Sequence, residues 1–168
     1  VAAARRRWGE AGAYFANQSL GSLLQNIHRN DLAGRLAQIK SQVRDPDLGL
    51  DAFLRFLNPN LPPAILQVPQ TVLEVGELPW GTQRVIDLEV LNSGAGALLV
   101  RPQHLSPGIK AVPDSLAVHR RQILKLVIDT NQLTPSLKPQ LIPFTLDAGS
   151  AGAVRLRIRV LVPAPLLE

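Results

Sequence analysis

The residues of this chain best suited to chemistry are arginines. Arg155, Arg157 and Arg159 alternate with apolar residues over 154–162. On an extended strand such a row projects a guanidinium about every 7 Å, two residues at roughly 3.4 Å each. A comb of this kind can meet phosphates or carboxylates with paired N–H donors. Arg120 and Arg121 add two adjacent cations upstream. These five are the candidate partner-binding residues, for an anion or nucleic acid. The same row also serves as a wetted face that discourages edge-to-edge aggregation.

The other constellations read as structural. His28, His104 and His119 are the three histidines, and none has a His or Glu three or four positions on, as a helical metal pair requires. Residues 45–51 resemble a calcium loop superficially. Counting from Asp45, however, the fifth, sixth and twelfth positions hold Gly49, Leu50 and Phe56, where the loop needs Asp or Asn, Gly and Glu. That stretch is expected to cap and join helices. The glycines at 94–96 and 149–152 precede strands, so no helix start aims its amides at a phosphate. No Gly-x-Ser-x-Gly occurs, and the absence of cysteine removes thiol nucleophiles, disulfides and cysteine-based metal sites. No catalytic, cofactor-binding or metal-ligating residue is assigned, and neither enzyme activity nor a cofactor is expected.

The elements that carry these residues follow from 168 residues that are 46% hydrophobic, 18% charged and 4% aromatic. The net charge of +5 divides into +3 before Pro63 and +2 after it. Neither part is the concentrated basic field of a dedicated nucleic-acid binder. The chain begins at Val1 without methionine and is read as a piece of a longer protein. Residues 1–13, with Arg5, Arg6 and Arg7, form an expected flexible lead. The longest apolar stretches, such as 95–100 and 160–167, are strand-sized, so no membrane span is expected.

Two textures meet near Asn58-Pro59-Asn60-Leu61-Pro62-Pro63. Over 14–60 apolar residues recur at helical spacing: Leu20, Leu23, Leu24 and Ile27, then Leu32, Leu36, Ile39 and Val43, then Leu50, Phe53, Leu54 and Leu57. About three short helices are expected, the first capped by Asn17 or Ser19 and the third by Asp47 or Asp51. Over 61–168 the period changes to two. Runs at 85–92, 122–129, 141–147 and 154–162 alternate cleanly, with weaker strands at 66–75, 97–103, 109–112 and 115–118. Seven or eight short strands, each with one wet face, predict an antiparallel β-sandwich. If the last two strands form a hairpin across 148–152, the spacing predicts Leu146 opposite Leu156 and Phe144 opposite Ile158. Asp147 then faces Arg155 and Thr145 faces Arg157. Pro143 must sit at a bulge or where its missing N–H would face solvent.

Leu73-Glu74-Val75-Gly76, Leu88-Glu89-Val90-Leu91-Asn92-Ser93-Gly94, Ile109-Lys110-Ala111-Val112-Pro113 and Leu124-Lys125-Leu126-Val127-Ile128-Asp129-Thr130 resemble immunoglobulin-like β-sandwich accessory modules, of the major-sperm-protein-related and bacterial Ig-like type. The likeness covers about 63–163. Where that family often has a Pro-Gly turn, this chain has His119-Arg120-Arg121. The resemblance implies an Ig-like sandwich without shared catalytic residues. It implies a non-catalytic protein-interaction or scaffold module of a larger protein, and by analogy of fold one such as a bacterial signalling Ser/Thr kinase. The expected partner is a protein or another domain of the parent chain, in a cytoplasmic setting. Anion or nucleic-acid binding through the arginine-lined face is the alternative.

Overall fold

The computed structural model describes residues 1–165, so the last three positions expected in the sandwich, including Leu166 and Leu167 of the 160–167 stretch, lie outside the described residues. The chain divides into two compact units, one of Val1–Ala64 with Gly94–Ala97, the other of Ile65–Ser93 with Leu98–Glu168. Among the described residues no helix is long and apolar enough to cross a membrane.

The first unit holds five helices where about three were expected: α1 (Ala2–Arg6), α2 (Trp8–Ala16), α3 (Ser19–Asn26), α4 (Asn30–Gln42) and α5 (Pro46–Leu57). The expected flexible lead over 1–13 is therefore corrected to helix. Ala2, Ala3 and Ala4 are strong helix formers, and Trp8 anchors the segment. The Trp8 ring is buried, and its indole N–H donates to Asp47 Oδ1 at 2.7 Å. Trp8, Phe15, Leu24, Leu36, Ile39, Leu50, Phe53, Leu54 and Ala97 form one core. Helices this short are not stable singly, and sharing that core is what holds them. The sharing has a consequence for α3. Of its expected stripe only Leu24 is buried, while Leu23 and Ile27 stay 56% exposed.

Helix ends follow local chemistry. The cap of α5 is Asp45, not Asp47 or Asp51: its carboxylate accepts from the N–H groups of Asp47 (2.9 Å) and Leu48 (3.1 Å), ahead of Pro46 at the first helical position. Asn17 Oδ1 accepts from Ser19 N at 2.9 Å, at the start of α3. At the other end His28 adopts φ 57, and Arg29 N donates to Leu24 O at 2.8 Å. That is a Schellman closure with histidine at the position glycine usually holds.

Among the described residues the second unit is an immunoglobulin-like β-sandwich of nine strands: β1 (Leu66–Gln67), β2 (Val72–Glu77), β3 (Gln83–Asn92), β4 (Leu98–Gln103), β5 (Ile109–Val112), β6 (Leu116–Val118), β7 (Arg121–Asp129), β8 (Gln140–Asp147) and β9 (Ala153–Leu161). Four form one sheet in the order β1-β3-β7-β5, and five the other, β2-β9-β8-β4-β6. The strand expected over 66–75 is cut after Val68 by Pro69, so its two halves join different sheets. Pairing is antiparallel except that β2 runs parallel to β9, with a bulge between Glu74 and Gly76. Facing inward, Leu88 and Val90 of β3 and Leu124, Leu126 and Ile128 of β7 share the interior with Phe144 and Leu146 of β8 and Leu156, Ile158 and Val160 of β9, all nearly or fully buried. Each large apolar side chain so buried contributes about 1.5–3 kcal/mol.

The hairpin register differs from expectation by two residues. Leu146 pairs with Val154, Phe144 with Leu156, Thr145 with Arg155 and Pro143 with Arg157. The reason lies in the turn. A single 3-10 turn at Gly149–Ala151, with positive φ at Gly149 (59°) and Gly152 (111°), closes the strands on Asp147 and Ala153. A shift of two preserves which side chains face inward. Pro143 takes the second of its expected positions, because β4 covers β8 only from Thr145 onward.

Two substitutions check the helical packing with opposite signs. A Cβ on Gly49 would lie 2.6 Å from Phe15 Cε1, so Gly49→Ala is expected to lower stability in urea unfolding despite a helix propensity gain of about 1 kcal/mol. Replacing the left-handed residue, His28→Gly, is expected to raise stability by about 0.5 kcal/mol.

Candidate functional face of the sandwich

The five candidate arginines fall on different sheets. Arg155, Arg157 and Arg159 project from the outer face of the five-stranded sheet, since their neighbours Leu156, Ile158 and Val160 fill the interior. Arg121 opens β7 in the four-stranded sheet, where its guanidinium donates to Glu89 across the ladder. Arg120, just before it, is exposed, and its carbonyl accepts from Asn92 N at 2.9 Å. The structure thus keeps the row of three together and separates Arg121 from it by the thickness of the sandwich.

Cross-strand register defines what surrounds the row. Arg155 lies opposite Thr145, Arg157 between Val72 and Pro143, and Arg159 between Glu74 and Leu141. Arg159 Nη1 donates to Glu74 Oε1 at 3.4 Å. Among the described residues, neither Arg155 nor Arg157 has a side-chain hydrogen bond or ion pair. Asp147, expected to face Arg155, instead lies opposite Ala153, where its carboxylate accepts from Gln103 Nε2 (2.9 Å) and Gly149 N (2.8 Å). Arg101 of β4, in register with Asp147, adds a cation that sequence reading missed. Its signal was the alternation of β4, broken by Pro102. Leu141 is 54% exposed, and with Val72, Glu74, Lys138, Pro139 and Arg159 it lines an open trough. The face therefore mixes guanidinium groups with accessible aliphatic surface.

The other candidate groups serve the fold. His28 terminates α3, His104 has φ 58 in the loop after β4, and the carbonyl of half-buried His119 accepts from Asn92 Nδ2 at 3.0 Å. Across 45–51 each aspartate has a structural partner: Asp45 caps α5, Asp47 holds Trp8, and Asp51 accepts from Arg55 Nε at 2.8 Å. Arg55 also donates to the carbonyls of Leu61, Pro62 and Ala95. The Asp31 carboxyl is lowered to about 2 by the hydrogen-bonding guanidinium of Arg29, and Asp129 is held below its ordinary range first by the N–H of Asn131. Asp31 lies in the first turn of α4 and Asp129 ends β7. Among the described residues, no group of three or more His, Asp or Glu is placed to hold a metal ion.

The helical unit carries a second surface that sequence reading did not separate from its core. Tyr14, Leu20, Leu23, Leu50, Phe53 and Leu57 line an open groove of about 600 Å³, with Val1, Ala4 and Ala11 at its margin. Tyr14 is 60% exposed.

No family model and no curated protein matches the sequence. Among solved structures, the chain is similar to the PapD-like domain 7 of human CEP192 (9% identity, 60% of this chain and 87% of that one, TM-score 0.48). It is also similar to the E. coli chaperone DraB (14% identity, 60% and 56%, TM-score 0.46). A third is a Bacteroides ovatus GH5 xyloglucanase (12% identity, 58% and 19%, TM-score 0.41). The chain thus spans less than two thirds of the length of the last two. At these scores the fold rests on the strand pairing of this chain itself, and none of the three is a major sperm protein.

Because their side chains are solvated, Arg155→Ala and Arg157→Ala are each expected to change stability by less than about 0.5 kcal/mol, read by thermal or urea unfolding.

Proposed function

We propose that this chain is a non-catalytic protein-interaction module of a larger protein. The observation that carries the reading is the groove on the helical unit. Small domains rarely leave contiguous apolar surface open unless something covers it, and here Leu23 and Tyr14 stay more than half exposed beside buried Phe53 and Leu50. The helix carrying Leu23 has no charged residue from Asn17 to Ile27, so no charge along it opposes burial against a partner. An amphipathic helix laid into such a groove would place apolar side chains at helical spacing against Leu20, Leu23 and Leu57.

A second reading, anion recognition by the outer sheet face, is favoured by Arg155 and Arg157, whose guanidinium groups have no acid to answer them among the described residues.

Crosslinking in cells followed by capture tests the first reading. A defined protein is expected on the wild-type chain and is expected to fall at least about tenfold on a Leu23→Asp/Leu57→Asp variant that keeps its circular dichroism, given the cost of burying an unpaired carboxylate. Recovery unchanged by that variant, or turnover of a small molecule by the isolated chain, would overturn the reading.

A further inference from the structure

We infer that the outer face of the five-stranded sheet takes an extended acidic polypeptide segment, its alternate carboxylates on Arg155 and Arg157 and an apolar side chain in the trough beside Leu141. This rests on the reading of the chain as a binding module and names the chemistry of one partner.

Charge comes first. Asp147 is occupied by Gln103 and Gly149, and Glu74 by Arg159. Among the described residues, the cations left unanswered on this face are therefore Arg155, Arg157 and Arg101 of β4, with exposed Lys138 at the mouth of the trough. On the opposite sheet the situation differs, since Arg121 meets Glu89 and Lys125 meets Asp87 at 3.3 Å. The outward row of β9 thus carries two guanidinium groups without an acid, whereas the outward cations of β7 are answered.

Spacing comes second. Same-side residues of an extended peptide repeat at about 7 Å, the repeat of the arginine row. A carboxylate on every second residue would place one on each guanidinium, in the bidentate geometry that Arg favours.

The apolar component decides between polyanions. Arg157 lies between Val72 and Pro143, and Arg159 beside a leucine that is 54% exposed. Single-stranded nucleic acid would use aromatic stacking platforms, and Phe144, the one aromatic residue in the strands of this sheet, points into the core. A peptide with one aliphatic side chain among its acids uses both the charge and the trough.

Fluorescence anisotropy tests this with a labelled peptide of about a dozen residues alternating Glu with Thr and carrying one central Leu. Controls are its Gln-for-Glu analogue and an oligothymidylate of equal length. The acidic peptide is expected to bind, and to weaken as salt is raised. It should weaken about tenfold on Arg155→Ala/Arg157→Ala, by less on Arg155→Lys/Arg157→Lys, and about threefold on Leu141→Ser. The Gln analogue is expected not to bind. The proposal is overturned by an oligothymidylate that binds as tightly as the peptide, by affinity unaltered in the double Ala variant, or by no peptide binding at all. If any of these occurs while capture through Leu23 and Leu57 persists, the acidic-peptide site fails and the interaction module stands.

Discussion

Burying Leu156, Ile158 and Val160 between two sheets leaves Arg155, Arg157 and Arg159 no place except the outer surface. β9 is an interior strand of its sheet, with β2 on one side and β8 on the other, so both of its edges are committed to backbone pairing and its two faces have opposite environments. A slip of one residue would drive three guanidinium groups into an interior of Leu, Ile, Val and Phe. Unpaired charge there costs several kcal/mol per ion. The outward comb is therefore fixed by the most strongly determined feature of the sandwich.

What the comb meets is decided by a weaker constraint. A slip of two residues leaves every side chain on its own face and is chosen by the turn, not by the core. The short 3-10 closure at Gly149–Ala151 sets Thr145 opposite Arg155 and Pro143 opposite Arg157. It leaves Asp147 to Gln103 and a backbone N–H. In the register that apolar spacing across 148–152 predicts, Asp147 would have answered Arg155 while Arg157 faced Thr145. The turn withholds that one pairing. Arg155 therefore joins Arg157 as a guanidinium without an acid, among exposed aliphatic carbon.

In the helical unit a different economy operates. Five short helices share one core, and the polar side chains that look chemically interesting are absorbed in ending and joining them: His28 closes α3, Asp45 opens α5, Asp47 fixes Trp8, and Asp51 with Arg55 ties α5 to its own exit segment and to the Gly94–Ala97 stretch. The apolar residues show the reverse. Leu23 and Ile27 read as core by spacing yet remain open, because a helix of two turns meets a small core along a narrow line.

The sequence by itself determined period and parity: helical spacing before Pro63, alternation after it, Leu124, Leu126 and Ile128 inward, Arg155, Arg157 and Arg159 outward. These are set by neighbours within a few residues, where φ/ψ geometry alone places side chains on faces. It missed the helix over Ala2–Arg6, which leads into α2, where Trp8 reaches Asp47 across 39 positions. It also missed the change of sheet at Pro69, the parallel pairing of β2 with β9, and Arg101 beside the comb. Tertiary structure alone decided those, together with the cross-strand partners of each arginine, because register and adjacency are settled by turn geometry and by which distant strands close the core, and neither is encoded in local spacing.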